Sequence, residues 1–431
     1  MKGQRTFIPD QDAVPLTAAP DAARKITAGH LALFLILLPF DRICTELVLI
    51  SLLAHTIIHL GSTGAGRIYT RETLVLSAIF LLNLIALAWS PDKKEGVNYL
   101  VRQLAIILFP FMLSVAGDTV QLYRDRLLKV FGFTCVLVLL YLYADAIRII
   151  LYYRLPVKSL LSQAFLNHNF SAPIGLHATY LSAFVALSAV YFLHQLIREG
   201  KRKQQAVYGP CLLILFAGMI QLSSRAVLIS FLLVVVLGFP FFIPSGKKRV
   251  RYLLLLFTCS LMALTGIIKV DSLKKRYVAD LRSDLAQNSI NNEVLESRLT
   301  RWKAIIPVAL QSPVIGHGTG AEKHLLQNTY FEKRLYNSYL NELNTHNQYL
   351  KSFLETGLTG LFLFLFTIGW GIAKALKNRD IIFLSFMSIT AVVSFSENML
   401  DVNKGIFFYS FFFSFFVFGS KPRAADLRLR S

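Results

Sequence analysis

Residues 344–370 have the sequence NTHNQYLKSFLETGLTGLFLFLFTIGW, a polar start followed by a long apolar stretch. The apolar stretch continues to about residue 373, and this length is sufficient for a helix to cross the hydrocarbon core of a bilayer. The pattern therefore predicts a transmembrane helix with His346 at the boundary between water and lipid. His346 either belongs to the start of that helix or contributes to a functional site.

The composition of the whole chain is that of an integral membrane protein. Of 431 residues, 55% are hydrophobic and only 16% are charged, and the apolar residues fall into blocks of membrane-spanning length. The net charge of +20 would suggest nucleic acid in a soluble protein. Here the basic residues form short clusters between apolar blocks, so membrane topology explains them and no nucleic-acid partner is expected.

The apolar blocks predict about twelve transmembrane helices in an all-α, polytopic fold. The predicted spans are 29–41, 43–60, 73–90, 99–116, 127–152, 175–195, 206–223, 226–244, 251–269, 347–373, 380–398 and 405–420. The four cysteines lie inside these blocks and form no CxxC pair, which excludes a disulfide framework or a zinc site. No metal-ligand spacing occurs among the acidic residues, so no metal and no cofactor are expected.

The distribution of Lys and Arg along the chain predicts how the protein is oriented in the membrane. Basic clusters such as REGKRK (198–203), KKRVR (247–251) and KALKNR (374–379) fall on one face, which the positive-inside rule assigns to the cytoplasm. The resulting division is a cytoplasmic tail (1–28), nine spans (29–269), a long outer loop (270–345), three spans (346–420) and a basic cytoplasmic tail (421–431). The outer loop has apolar residues at helical spacing and is predicted to fold as short helices packed on the membrane face.

Three arginines are predicted to lie on the outer face. Arg225 lies at a tight turn between two spans, and Arg298 and Arg301 lie in the long outer loop. Guanidinium groups at a lipid boundary suit a phosphate-bearing ligand, because they stay charged and bind phosphate in a fork geometry. Each also has a structural interpretation: snorkelling to headgroups for Arg225, a surface ion pair for Arg298, and packing beside Trp302 for Arg301.

Further polar residues share the predicted outer face. His346 could act as a neutral base, and Asn347 could orient a hydroxyl or cap the helix. In the alternative interpretation, Thr345, His346 and Asn347 together form the helix start, with Asn344 or Thr345 as the N-cap. His177 begins another span and fits either packing or an accessory role. Glu397 and Asp401 lie at a third outer turn, where they could form an accessory site or a capped turn.

The sequence resembles the superfamily of O-antigen ligases and O-antigen polymerases, membrane glycosyltransferases of GT-C type. The resemblance rests on about twelve spans, a long outer loop between the ninth and tenth, and the segments SSRAVL (223–228), SRLTRW (297–302) and HNQYLKSFLETGLTGLFLFL (346–365). It implies that catalysis takes place at the periplasmic face of the bacterial inner membrane. It further implies that Arg225 and Arg298, with Arg301 as an alternate, bind a diphosphate, and that His346 deprotonates the acceptor.

For an O-antigen ligase, the resemblance implies a glycan donor linked to undecaprenyl diphosphate and an acceptor hydroxyl on lipid A-core, with membrane lipids around the protein. A polymerase would use the same donor and pass the glycan to another lipid-linked unit. The residues do not identify the acceptor. A third hypothesis, a transporter of lipid-linked glycan, predicts charged residues deep within the spans, and Asp145 with Arg148 is the main such pair.

Overall fold

The structure of the chain is a computed structural model, which describes residues 21–40, 42–60, 68–198, 202–243, 246–269, 274–275 and 296–420. Within these ranges the regular secondary structure is entirely helical. The all-α fold class predicted from the sequence is therefore confirmed for the described residues. The terminal tail 421–431 and most of the predicted loop segment 270–295 lie outside them.

Among the described residues, ten longer helices precede the predicted outer loop: α1 (Asp21–Leu37), α2 (Arg42–Ile58), α3 (Arg71–Ala86), α4 (Lys93–Gln103), α5 (Ala105–Val115), α6 (Gly117–Tyr152), α7 (Ala178–Arg198), α8 (Arg202–Leu222), α9 (Arg225–Phe242, with a π-helical turn at Val234–Gly238) and α10 (Gly246–Lys269). Six more lie within residues 296–420: α11 (Arg298–Ala309), α12 (Ala321–Glu332), α13 (Tyr336–Leu340), α14 (Gln348–Lys377), α15 (Ile381–Val393) and α16 (Asn403–Phe418). Short helical turns between Val157 and Ile174 connect α6 to α7.

The observed helices coincide with the predicted transmembrane spans, but several of their boundaries differ. Each predicted span overlaps a helix, and seven helical segments among the described residues are long and apolar enough to cross a bilayer. Three apolar helices are shorter, Ile43–Ile58, Ile381–Val393 and Asn403–Phe418, so the count of twelve stays a prediction. Helix α1 begins at Asp21, inside the predicted N-terminal tail, and α6 runs for 36 residues, well beyond the predicted span 127–152.

Helix α16 forms the centre of the apolar core. Its residues from Lys404 to Val417 are buried on all sides, as expected for a helix that is apolar around its whole circumference. Its phenylalanine rings contact Phe34 of α1, Phe109 of α5, Phe184 of α7 and Phe386 of α15. Because aromatic pairs of this kind add to the free energy of burial, α16 links the helices that carry the site described below.

The described part of the predicted outer loop folds as short helices. Helices α11, α12 and α13 pack together through Ile305, Ala309, Leu326 and Tyr330, with Leu354 of α14 closing this small core. Residues 296–345 thus contain the short helices that the sequence predicts, while their location on the outer membrane face stays a prediction. This core attaches the loop to the first turns of α14, so the loop helices have fixed positions relative to His346.

A kink at Gly357 lets the loop dock on α14. Gly357 has a φ of 65°, and a Cβ atom at this position would collide with the carbonyl oxygen of Val314. The loop satisfies the backbone groups around the kink, since Leu358 N donates to Pro313 O (2.7 Å) and Gly318 N donates to Glu355 O (2.8 Å). The kink therefore arises from loop insertion at a glycine, one of the recognised causes of helix bending.

Candidate functional site

His346 lies immediately before α14 in an unusual backbone conformation. Its φ is 46°, and its N–H donates to the side-chain oxygen of Asn344 at 3.0 Å. The N-cap of α14 is Asn347, whose side chain accepts from Leu350 N at 3.1 Å. The cap at Asn347, one of the two roles expected for this residue, is therefore confirmed, and the alternative cap at Asn344 or Thr345 is wrong. Because the chain turns sharply at His346 before the helix begins, the imidazole belongs to the turn that precedes the helix.

His346 and Arg298 converge on one carboxylate, that of Glu397 in the turn between α15 and α16. His346 Nδ1 lies 3.2 Å from Glu397 Oε2, and Arg298 Nη2 lies 3.8 Å from Glu397 Oε1. Arg298 Nη1 also donates to the carbonyl of Ser396 at 2.9 Å. Burial raises the pKa of Glu397, but His346, His177 and Arg298 together outweigh it, so the pKa lies below its ordinary value. Glu397 is therefore an ionised acceptor at neutral pH.

An apolar groove joins the two arginines that the sequence predicts to bind a diphosphate. Its volume is about 810 Å³, and Arg225 at the start of α9 and Arg298 at the start of α11 both line it. The remaining walls come mainly from apolar and aromatic side chains: Ala226, Ile229, Leu299, Trp302, Tyr349, Leu361, Leu365, Ala391, Val392 and Phe395. The groove can therefore accommodate a long apolar group beside an anionic one.

Arg301 takes a different position from Arg298. It is buried, and its Nη1 donates to the carbonyl of Asn344 at 3.0 Å, while the neighbouring Trp302 donates through Nε1 to Thr345 O at 2.8 Å. Arg301 is not among the residues that line the groove. These contacts support the structural interpretation of Arg301, because the guanidinium binds the backbone just before His346.

His177 lies close to the His346–Glu397 pair. Its ring contacts the ring of His168, with centroids 4.1 Å apart. Burial lowers the pKa of His177 to about 4; Glu397 opposes this shift, whereas His168 and His346 add to it. His177 is therefore neutral at neutral pH, and it adds positive charge beside Glu397 only in acid.

A buried lysine forms a second cluster behind the site. Lys351 Nζ on α14 lies 2.9 Å from carboxylate oxygens of both Glu322 and Asp401, and 3.5 Å from Glu355. It also lies over the ring of Tyr99, 4.1 Å from the centroid. Removing one partner of such a buried pair leaves an uncompensated charge, so the cluster fixes the relative positions of α4, α12, α14 and the α15–α16 turn.

The carboxylates of this cluster differ in their ease of ionisation. Burial raises the pKa of Asp401, and Lys351 offsets this only in part. Burial acts in the same direction on Glu322, but Lys351 and hydrogen bonds from Thr345 outweigh it and lower the pKa. Glu322 is therefore the constant anionic partner of Lys351.

Glu322 and Asn398 connect the cluster to the backbone on both sides of His346. Glu322 Oε1 accepts from Thr345 N at 3.0 Å and from Asn398 Nδ2 at 2.9 Å. Asn398 Oδ1 in turn accepts from Asn347 N at 2.8 Å and from the Thr345 hydroxyl at 2.9 Å. The residues adjoining His346 and Glu397 are thus held by one buried network, which orients the two side chains toward each other.

The structure therefore brings together most of the residues predicted from the sequence. Arg225, Arg298, His346 and Glu397 lie at one groove and its end, and His177 is near them. Asn347 acts as a helix cap, and Asp401 pairs with Lys351. Sequence reasoning did not find Lys351 and Glu355, although two ionisable residues four positions apart in a predicted transmembrane helix are a recognised sign of a buried polar site.

Comparisons with known proteins show what this chain is similar to. Residues 210–365, which contain Arg225, Arg298 and His346, match the family model described as O-antigen ligase. The chain is also 26% identical over 369 residues to an uncharacterised protein of Haemophilus influenzae, covering 79% of this chain and 91% of that protein. The match at residues 210–365 confirms the resemblance of this chain to the superfamily of O-antigen ligases and polymerases.

Proposed function

We propose that the protein is an O-antigen ligase of the bacterial inner membrane. In this proposal it transfers a glycan from undecaprenyl diphosphate to a sugar hydroxyl of lipid A-core. The site around His346 faces the periplasm, and both chain termini lie in the cytoplasm. The observation that carries the proposal is the apolar groove with Arg225 and Arg298 in its wall and the His346–Glu397 pair beside Arg298.

The groove suits a donor that has both an apolar polyprenyl tail and an anionic diphosphate. Apolar side chains accommodate the polyprenyl tail, since burying apolar surface is favourable by roughly 25 cal/mol per Å². The two guanidinium groups bind the diphosphate with charge-assisted hydrogen bonds. Two cations fixed at the leaving group also stabilise the negative charge that develops there as the glycosidic bond breaks.

The transfer needs one base and one leaving group. His346 accepts the proton of the acceptor hydroxyl, and the oxygen attacks the anomeric carbon of the donor sugar. The bond between that carbon and the diphosphate oxygen breaks, and its electron pair leaves with the diphosphate. Attack from the face opposite the leaving group inverts the anomeric configuration. The proton on His346 then passes to water.

Glu397 sets the tautomer in which His346 can act as the base. An ionised carboxylate next to Nδ1 favours the tautomer with the proton on that nitrogen, which leaves Nε2 as the ring atom able to accept a proton. The same carboxylate stabilises the imidazolium that forms. In this proposal Glu397 is a positioning residue, because it acts through the imidazole.

A polymerase is the alternative, because it uses the same donor and differs only in the acceptor. The decisive experiment incubates purified, reconstituted protein with the undecaprenyl-diphosphate-linked glycan and one of two acceptors, lipid A-core or a second lipid-linked unit. Product on lipid A-core alone supports the ligase, and extension of the lipid-linked unit alone supports the polymerase. Donor that binds but reacts with neither acceptor would contradict glycosyl transfer.

The transporter hypothesis is less well supported. Asp145 and Arg148, the predicted pair within a span, bond to each other at 2.7 Å on one helix, and the Arg148 side chain is 76% exposed. Lys351 and Glu355 lie in the first two turns of α14, next to the His346 site, and their charges are compensated within the cluster. A transporter would move the donor between leaflets of protein-containing vesicles without consuming it, which the same reconstituted preparation can measure.

A further inference from the structure

A second large cavity lies at the opposite end of α14 from His346. Its volume is about 620 Å³, and its walls come from the first part of α6, the end of α7, the α14–α15 turn and the end of α16. Helix α14 has 30 residues, so about 45 Å of helix separates this cavity from the His346 site. The cavity is therefore independent of the groove described above. We call it the Arg198 cavity, after one of its lining residues.

Three arginines from separate segments line the Arg198 cavity. Arg124 lies on α6, Arg198 ends α7, and Arg379 lies in the turn before α15. Arg198 and Arg379 belong to two of the basic clusters, REGKRK and KALKNR, that the sequence assigns to one face of the membrane. Their convergence on one concave site is a result of the tertiary structure, because the segments are separated by many residues in the chain.

The two acidic residues of the cavity, Asp125 and Asp380, make no ion pair with Arg198 or Arg379 in the described ranges. Asp380 pairs with Arg124 and also caps α15 by accepting from Phe383 N at 3.1 Å. Asp125 accepts from the hydroxyl of Tyr191 at 3.1 Å and from the side-chain amide of Gln195. Asp125 thus makes hydrogen bonds with neutral groups and no ion pair with Arg198 or Arg379 in the described ranges, and the three arginines outnumber the two carboxylates by one positive charge.

Arg198 and Arg379 make no ion pair with any residue in the described ranges, and both are exposed. His194 lines the same cavity, and its Nδ1 is buried without a hydrogen-bond partner among the described residues. A buried polar atom without a partner is costly, and a ligand that supplies an acceptor would remove this cost. The cavity thus combines two guanidinium groups that make no ion pair in the described ranges with one imidazole nitrogen that lacks a hydrogen-bond partner there.

We propose that the Arg198 cavity binds a phosphate-bearing ligand, at the membrane face opposite the His346 site. Phosphate oxygens match the fork geometry of guanidinium groups and accept from an imidazole N–H. Apolar residues also line the cavity, including Leu122, Leu128 and Ile381, so an anionic phospholipid headgroup with part of its glycerol backbone fits its mixed character. Free phosphate offers the same chemistry without the lipid.

The competing explanation is that these arginines serve only to orient the protein in the membrane. That role requires positive charge on the correct face, but it requires neither a cavity nor an unsatisfied histidine. A surface arginine of the same region provides the matched control. Arg126 lies on α6 two residues from Arg124, is exposed, contacts the ring of Tyr123, and is not among the residues lining the cavity.

The experiment uses the full-length protein, purified in detergent and delipidated. Native mass spectrometry measures binding of phosphatidylglycerol and phosphatidylcholine, and calorimetry measures binding of inorganic phosphate. The variants are Arg198→Gln with Arg379→Gln, His194→Leu, and the control Arg126→Gln. The arginine variants change exposed side chains, so they are expected to fold, and thermal unfolding verifies this for each protein.

We expect phosphatidylglycerol to bind the wild type more tightly than phosphatidylcholine does. The double arginine variant should weaken this binding at least tenfold, and His194→Leu should weaken it less, while Arg126→Gln leaves it unchanged. If inorganic phosphate binds with the same dependence on the variants and the lipid does not, free phosphate is the ligand. Equal binding by wild type and double variant, equal loss in Arg126→Gln, or no binding of either probe by the wild type would overturn the proposal.

Discussion

The Nδ1 atom of His346 lies 3.2 Å from Oε2 of Glu397, although 51 positions separate the two residues in the chain. His346 precedes α14, and Glu397 lies in the turn that follows α15, so the contact depends on how these two helices pack. Arg298, from a third segment, approaches the other oxygen of the same carboxylate. One carboxylate thus connects the proposed base to an arginine of the donor groove.

Replacing His346 with alanine should reduce glycosyl transfer by about 10² to 10⁴-fold, because the acceptor hydroxyl loses its base. Donor binding should stay close to that of the wild type, since the groove and its arginines are untouched. The measurement is a single-turnover transfer assay together with donor binding. His324→Ala, which removes an exposed imidazole from α12, is the matched control. Transfer at the wild-type rate by the His346 variant would rule out the base assignment.

Replacing Glu397 with glutamine should lower kcat by at least about tenfold and leave the KM for the donor nearly unchanged, because Glu397 acts through the imidazole. Glu397→Asp should restore part of the activity, since it keeps the charge near Nδ1. A purely structural role would instead predict that the glutamine variant loses thermal stability and activity in parallel. Measuring both kinetic constants and the unfolding midpoint separates these outcomes.

Replacing Arg225 or Arg298 with lysine should weaken donor binding by about tenfold. Lysine keeps the positive charge but cannot form bidentate hydrogen bonds with a phosphate group. A loss of about 1.4 kcal/mol corresponds to this factor. Binding of the lipid-linked donor in nanodiscs is the readout. Lys303→Gln removes an exposed cation from the same helix as Arg298 and should have no effect. An unchanged donor affinity in both arginine variants would contradict the assignment of the diphosphate site.

Replacing Lys351 with methionine should destabilise the protein by about 3–5 kcal/mol, because three buried carboxylates lose their cation. Lys374→Met is a suitable comparison on the same helix. Lys374 pairs with the partly exposed Glu72 at 3.1 Å and lies 4.9 Å from the centroid of the Trp370 ring, so its loss should cost far less than that of a buried lysine with three carboxylates. Unfolding in detergent measures both variants, and similar midpoints for the two would show that the Lys351 cluster does not hold the site together.

The stability of the fold should depend on pH through His177. Its pKa is lowered from 6.5 to about 4 in the folded protein, so the unfolded chain takes up a proton at higher pH than the folded chain does. This contribution to stability is complete above pH 6.5 and is lost as the pH falls toward about 4. The unfolding midpoint of the wild type should therefore fall more steeply across this window than that of His177→Gln. The control, His324→Gln, should follow the wild-type curve, and parallel curves for wild type and His177→Gln would contradict the prediction.

The residues that the structure brings to the groove and its end could be predicted because they are rare polar residues at the ends of long apolar segments. Arg225, Arg298 and His346 stand out against apolar surroundings, and the resemblance to a known family gives their order along the chain. Arg301 could not be distinguished from Arg298 in this way, because the two are three positions apart on one helix. Only the packing of α11 shows that Arg301 contacts the Asn344 carbonyl, while Arg298 lines the groove.

By itself, the sequence determined that this is an all-helical membrane protein with a folded loop ahead of α14, because long apolar blocks and helical periodicity are local properties of the chain. Tertiary structure alone decided that Lys351, Glu322 and Asn398 support the turn at His346, and that distant basic clusters line the Arg198 cavity. The reason is that a buried charge is stable only beside its partners. Those partners come from separate helices whose neighbours are set by packing.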